Sequence, residues 1–504
     1  MFHKTSLRKL ELLLEGSLFF RGLVAIFEFF AQLMGNSFIG RAFVGDPATL
    51  DDSIRRSVFA RVLNFIFNHK KPLAITTTEP LISNQVALGS WVIGGLFNNL
   101  DINLKSPFSK WALFAFPAVG MAGIIFATAF LPTMVLAAGI IPVFVLVFLS
   151  RRFVIDGTAI FIFMFIIVSM IGAVLSLAPV SSIQIAILTS AFMLSTLIIT
   201  AIATQAKTVD LFMQIFIVAA GLTGVYGIYQ VLVGYQGNVW LDETLFAGTR
   251  LRVFSTFGNP NVYGTYLLLA IPIAAAGVVY FKHWFIKLCA AGVAGLLVIN
   301  LVLTMSRGCY LSLAIAVGFF VLIIEKRLVV LFVPAVLALP LVLPPAILNR
   351  VLSIVNMADT STAFRLNIWR GSIRIVHDFW LGGVGQGIDA YNAVYPYYSL
   401  AAIHSPHSHS LYIQYLVELG VFGLIVFVGI MACFFRTMAH FIRATKDMSH
   451  KIMATAMVAA VIGFLFQGVT DFVFYNYRVL LSFYIFIGIS IAFTRVHMPK
   501  GKGL

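Results

Sequence analysis

Residues 411–433 read LYIQYLVELGVFGLIVFVGIMAC, with Glu418 the one charged side chain among them. A helix rises 1.5 Å per residue, so this stretch covers the ~30 Å of a bilayer's hydrocarbon core. Stretches of the same kind recur on both sides, near 111–129, 131–149, 153–173, 184–204, 211–233, 261–280, 288–304, 309–324, 328–346, 452–472 and 479–494. The chain as a whole is 60% hydrophobic and 11% charged over 504 residues, more apolar side chain than one or two soluble cores can bury. The short alternating strands of a transmembrane barrel are missing from the pattern. The expected fold is therefore an all-α polytopic membrane protein of about twelve transmembrane helices.

Charge then orients the bundle. No cleavable signal peptide is expected, because the first apolar stretch, 17–34, is interrupted by Arg21 and Glu28. The N-terminus is accordingly expected in the cytoplasm. Counting spans from there puts Arg151, Arg152, Lys207, Lys282, Lys287, Lys326, Arg327, the run from Arg436 to Lys451 and the C-terminal tail on the inner side, as the positive-inside rule requires. The net charge of +15 thus records topology and does not call for a nucleic-acid partner. Every basic residue left outside is an arginine: Arg250, Arg252, Arg307, Arg350, Arg365, Arg370, Arg374 and Arg478. Two readings stay open. These arginines snorkel to lipid headgroups, or their planar, permanently charged forks hold a phosphate or pyrophosphate at the outer surface.

Residues 1–110 form a cytoplasmic or interfacial segment, in which 46–79 suits a helix attracted to anionic membrane lipids. Residues 111–495 are read as one transmembrane domain and 496–504 as a cytoplasmic tail. Cys289, Cys309 and Cys433 are too scattered for a disulfide framework or a metal knuckle and are read as packing residues.

One outward loop, 348–410, is long enough to carry function. Within it AFRLNIWRGSIRIVHDF, 363–379, spaces Phe364, Ile368, Ile375 and Phe379 at helical intervals and leaves Arg365, Arg370 and Arg374 to a polar face, which predicts an in-plane amphipathic helix. The cluster GGVGQG, 382–387, lacks the βαβ context of a nucleotide loop and is read as a tight turn. Tyr391, Tyr395, Tyr397 and Tyr398 follow, either to stack on sugar rings or to form an interfacial aromatic belt. The loop ends in HSPHSHS, 404–410. Ser405 as N-cap and Pro406 at the first helical position put His409 in the first turn of the next helix, where a neutral imidazole can serve as general base. His404, His407 and His409 are close in sequence, but no cysteine or carboxylate is adjacent and residues 407 and 409 fall on different sides of a helix, so no metal site is assigned.

Several of these residues resemble the O-antigen ligase and O-antigen polymerase superfamily of bacterial membrane glycosyltransferases. His409-Ser410, nine further residues and Gly420-Val421-Phe422-Gly423 fit the family's histidine–glycine pattern, and Arg307-Gly308-Cys309-Tyr310-Leu311 fits its arginine–leucine pattern. Arg252 before Phe257-Gly258-Asn259-Pro260-Asn261, and Arg365 with Trp369 and the glycine turn, match less closely; the resemblance covers roughly 240–430. It implies a GT-C-like architecture, an undecaprenyl-pyrophosphate-linked glycan donor, a glycan or glycolipid acceptor, and chemistry on the extracytoplasmic face of the bacterial inner membrane without a cofactor or catalytic metal. On that resemblance His409 is the catalytic base, Arg252, Arg307 and Arg365 hold the pyrophosphate, and His404, His407 and Arg370 shape the loop or bind the acceptor. Polymerase and ligase are not separated, with polymerase or general polysaccharide assembly preferred. A glycolipid flippase or secondary transporter is the competing class, but such proteins place charge at mid-membrane depth, and most helices here carry none.

Overall fold

The computed structural model describes residues 57–68, 107–150, 153–235, 252–325, 360–400 and 403–499. Among them every regular element is helical. The helices are α1 (Val58–Asn68), α2 (Pro107–Ala127), α3 (Thr133–Ser150), α4 (Gly157–Val174), α5 (Pro179–Ile202), α6 (Ala206–Leu232), α7 (Pro260–Tyr280), α8 (Trp284–Leu303), α9 (Arg307–Ile324), α10 (Thr360–Phe379), α11 (Ile388–Tyr398), α12 (Leu411–Ala444), α13 (Met448–Thr470) and α14 (Tyr477–His497). Nine of these, α4 to α9 and α12 to α14, are long and apolar enough to span a membrane, and α2 and α3 contain shorter apolar helices, so the polytopic all-α expectation holds. The span expected near 328–346, most of residues 1–110, Arg250 and Arg350 lie outside the described residues.

Two boundaries differ from expectation. Helix α12 does not stop near residue 433 but continues to Ala444 and carries Arg436, buried, inside the packed bundle. Helix α14 runs through His497, past the expected start of the tail.

Bilayer lipid is as apolar as leucine, so helices associate through close packing and polar contacts. Helix α14 lies at the centre, buried on all sides from Val479 to Thr494. A Cβ on Gly488 would sit 3.0 Å from Thr196 Cα of α5, and one on Gly463 would sit 3.1 Å from Ser312 O of α9. The Thr196 hydroxyl donates to Tyr484 O at 2.7 Å across the α5–α14 contact. Helices α8 and α9, by contrast, keep most of their surface outside the packed core.

The described loops sort to two ends. At one end, Thr256 Oγ1 donates to Ala129 O at 2.6 Å, Arg478 donates to Thr256 O at 2.6 Å, and Leu177 N donates to Val384 O at 3.1 Å. At the other, Arg495 pairs with Asp156, and Tyr280 donates to Asp210 at 2.6 Å beside His450 and His497. All described arginines expected on the outer side belong to loops or helices of the first end.

Candidate active site

A cavity of about 780 Å³ opens at the first end, between the turn before α7, the glycine turn after α10, the histidine loop before α12 and the turn between α13 and α14. That volume suits a small-molecule ligand. Each wall has a local cause. In the 257–261 stretch, Gly258 takes φ +74°, Asn259 caps α7 by accepting from Asn261 N at 2.8 Å, and Pro260 occupies the first helical turn, where its missing N–H costs nothing. Asn261 is thereby presented to Arg252, whose Nη2 donates to Asn261 Oδ1 at 3.0 Å while Nε donates to Thr304 O at 2.9 Å. These bonds fix the guanidinium plane at the cavity wall.

The histidine loop departs from the sequence expectation. Ser410, not Ser405, occupies the N-cap of α12, and residues 403–410 are irregular. His409 lies outside the helix with φ +51°. Its imidazole is not on a different side from His407 but 4.3 Å from it between ring centres. The local cause is the Ser408–Ser410 turn: Ser408 Oγ donates to Ser410 O at 3.0 Å, His409 N donates to His407 Nδ1 at 3.2 Å, and Trp369 Nε1 of α10 donates to His409 O at 3.3 Å. Among the described residues three non-glycine residues take positive φ, namely Ser255, Met305 and His409. Each lies within three residues of Arg252, Arg307 or the candidate base. Backbone held this way costs about 1–3 kcal/mol per residue and persists where surrounding contacts over-determine it, commonly at functional sites.

Asp471, just past the end of α13, completes the group. Its Oδ1 is 3.6 Å from His409 Nδ1, within ion-pair reach but longer than a hydrogen bond. Burial pushes the Asp471 carboxyl toward its neutral form, yet the adjoining His409 and the Arg365 guanidinium outweigh that and hold it below the usual carboxylate range. His407 is buried, stacks on Tyr475 at 4.9 Å, and lines the cavity. Burial first, then His409 and Arg365, pull its pKa down to about 3, against an opposing pull from Asp471. Because the Nδ1 of His407 accepts from His409 N, the neutral ring carries its proton on Nε2.

The linkage sign follows directly. A histidine depressed from 6.5 to about 3 binds a proton more readily unfolded than folded, so its contribution to stability is complete above pH 6.5 and is lost as pH falls toward 3. Thermal melts of the detergent-purified protein should therefore lose midpoint between pH 6.5 and 4, and His407→Phe should flatten that slope. An unchanged slope in the variant would contradict the buried neutral assignment.

Arg252, His407 and His409 line the cavity, and Arg365 acts on both Asp471 and His407 from beside Phe364, another lining residue. Arg307 is not in the lining; it opens α9 directly after the 304–306 turn that Arg252 clasps. His404 and Arg370 are exposed and do not line the cavity. Tyr391 and Tyr395 are not presented for sugar stacking. They are buried against each other at 4.9 Å, with Tyr391 OH 2.8 Å from Ser372 Oγ, and so bind α11 to α10. Sequence reading missed Asp471, Gln386 and Gln414, all in the cavity wall, and did not single out Glu418 as part of the site. No group of three histidine, cysteine or acidic residues arranged for a metal occurs among the described residues.

The comparisons with known proteins enter at this point. No curated protein matches the chain. The family model described as O-antigen ligase matches residues 291–428, a stretch that holds Arg307, Arg365, the histidine loop, Gly420 and Gly423 but stops short of Arg252 and Asp471 at either end. Over residues 291–428 the chain is thus similar to O-antigen ligases, and that stretch lies within a helical protein with nine membrane-length apolar helices among the described residues.

Proposed function

We propose that this protein transfers or polymerises a glycan from an undecaprenyl-pyrophosphate-linked donor onto a sugar hydroxyl, at the extracytoplasmic face of the inner membrane and without a metal. The observation that carries this reading is the convergence of His409, Asp471 and Arg252 on one cavity with Arg365 beside them. Asp471 beside Nδ1 favours the tautomer with its proton there, which leaves the Nε2 lone pair of His409 as the base. The acceptor hydroxyl gives its proton to Nε2 as its oxygen attacks the anomeric carbon, and the bond from that carbon to the pyrophosphate oxygen breaks. The leaving pyrophosphate takes the electron pair and is stabilised by Arg252 and Arg365, with Arg307 close behind. In-line displacement inverts the anomeric centre. Product analysis with a defined lipid-linked donor and candidate acceptors tests this: an inverted linkage supports it, and retention, or no transfer, refutes it.

Two further outcomes follow. Arg252→Lys should lower kcat about 10²-fold, because an ammonium cannot donate to Thr304 O and Asn261 while also meeting the phosphate; near-normal turnover would reduce Arg252 to simple charge. The face is read from lysine asymmetry, so a cysteine at exposed Asn392, in a background with exposed Cys289 replaced, should react with an impermeant thiol reagent added outside intact cells. Labelling seen only after permeabilisation would reverse the orientation.

A further inference from the structure

The mechanism above leaves one buried carboxylate unused. Glu418 lies two turns into α12, is 5% exposed, and lines the same cavity. Its Oε1 accepts from the backbone N–H of Gly387 at 3.1 Å and from Gln414 Nε2 at 2.9 Å. Its Oε2 makes no hydrogen bond to a described residue. Gln414 in turn accepts from Ser408 N at 2.7 Å, so one amide side chain separates Glu418 from the residue beside the candidate base. Across the wall, Gln386 is 2% exposed, its Oε1 taken by Ser169 Oγ at 2.5 Å and its carbonyl by Ser182 Oγ at 2.8 Å. The Gln386 amide nitrogen makes no hydrogen bond to a described residue.

The cavity therefore carries, besides its histidine and arginine end, a carboxyl oxygen and an amide donor, both on side chains that neighbouring bonds hold still. An isolated carboxylate in such surroundings is costly unless hydrogen-bonded. A purely apolar ligand would strand both groups. Adjacent hydroxyls of a sugar ring, each able to donate and accept, satisfy both. We propose that Glu418 and Gln386 form a sugar-binding subsite that grips ring hydroxyls of a hexopyranose next to His409. This rests on the glycosyl-transfer reading for its place in the reaction, and the ring belongs either to the acceptor or to the first sugar of the donor.

The test uses the full-length purified protein and methyl α-glucoside, methyl α-galactoside and methyl α-mannoside, followed by saturation-transfer NMR. At least one glycoside should bind wild type, and Glu418→Gln should weaken it about 10-fold, the loss of one buried hydrogen-bonding oxygen. Glutamine keeps an Oε1 for Gly387 and Gln414, so its melting midpoint should match wild type. Gln386→Glu keeps the oxygen that Ser169 uses and removes the donor, and should weaken binding independently if the first variant fails to fold. No glycoside binding by wild type, or undiminished binding by both variants, overturns the subsite. With the lipid-linked donor present, a raised acceptor KM in Glu418→Gln assigns the ring to the acceptor, and a raised donor KM assigns it to the donor. If wild type binds glycosides but transfers nothing from any lipid-pyrophosphate donor, the transfer reading fails and the subsite stands.

Discussion

Gly420→Ala is expected to lose the folded site, with a fall in melting midpoint well beyond that of any other glycine-to-alanine change in the spans. Gly420 has φ +64° and ψ −164°, a region that essentially only glycine enters, inside what is otherwise one 34-residue helix. An added Cβ would lie 2.3 Å from Leu381 O and 2.8 Å from Gly382 N, both backbone atoms without a cheap way to retreat. The conformation alone costs about 1–3 kcal/mol for a non-glycine residue, before the clash is counted. The break also has a use. It turns the Val421 N–H to Trp380 O at 2.8 Å, and the carbonyls of Val417 and Glu418 accept from Val384 N at 2.8 Å and Gly385 N at 3.1 Å. The glycine turn is thereby fastened to α12, which sets Gln386 and Gly387 in the cavity wall. Gly292→Ala in α8 is the control, since nothing lies within 4 Å of its added Cβ and alanine is the better helix former. Equal midpoints for the two variants would show that the kink is dispensable.

Small residues in a membrane helix commonly admit a neighbouring helix, but Gly420 and Gly423 serve otherwise here. The approaching chain is a loop, the 381–383 backbone, and the Cβ of an alanine at 423 would meet Leu419 of its own helix. A histidine–glycine spacing does not reveal which segment needs the space. The spans were readable because length and apolarity alone place a helix in hydrocarbon. Helix α10 was readable because Ile368 and Ile375 recur at helical intervals, and both are fully buried. The turn at 257–261 carried its own caps. The start of α12 was misplaced because Ser405-Pro406 and Ser410 are both capping signals, and tertiary contacts from Trp369 and Gln414 favour the later one. Tyr391 and Tyr395 are four residues apart with Val394 between them, a spacing that marks one helix face and, in retrospect, a buried one. Asp471 gave no local signal: it is a single carboxylate in a short turn, and its partners come from segments distant in the chain.

His409→Ala should reduce transfer by about 10² to 10⁴, the usual loss when a positioned general base is removed, while leaving the lipid donor bound through Arg252 and its neighbours. The backbone that carries the imidazole is held by Trp369 on its carbonyl and His407 on its amide, and Asp471 lies 3.6 Å from Nδ1. Asp471→Asn should slow transfer by a smaller factor, since it leaves the ring in place and removes only the group that favours one tautomer and steadies the imidazolium. His404→Ala, at an exposed position outside the cavity lining, should keep most of the activity. The most direct measurement is the initial rate of glycan transfer by purified wild type, His409→Ala and His404→Ala at matched amounts, each with and without EDTA and with donor binding measured in parallel. The account predicts an inactive, donor-binding His409→Ala, a near-normal His404→Ala and no effect of EDTA; wild-type rates in His409→Ala, or loss of wild-type activity on chelation, would contradict the metal-free histidine-base mechanism.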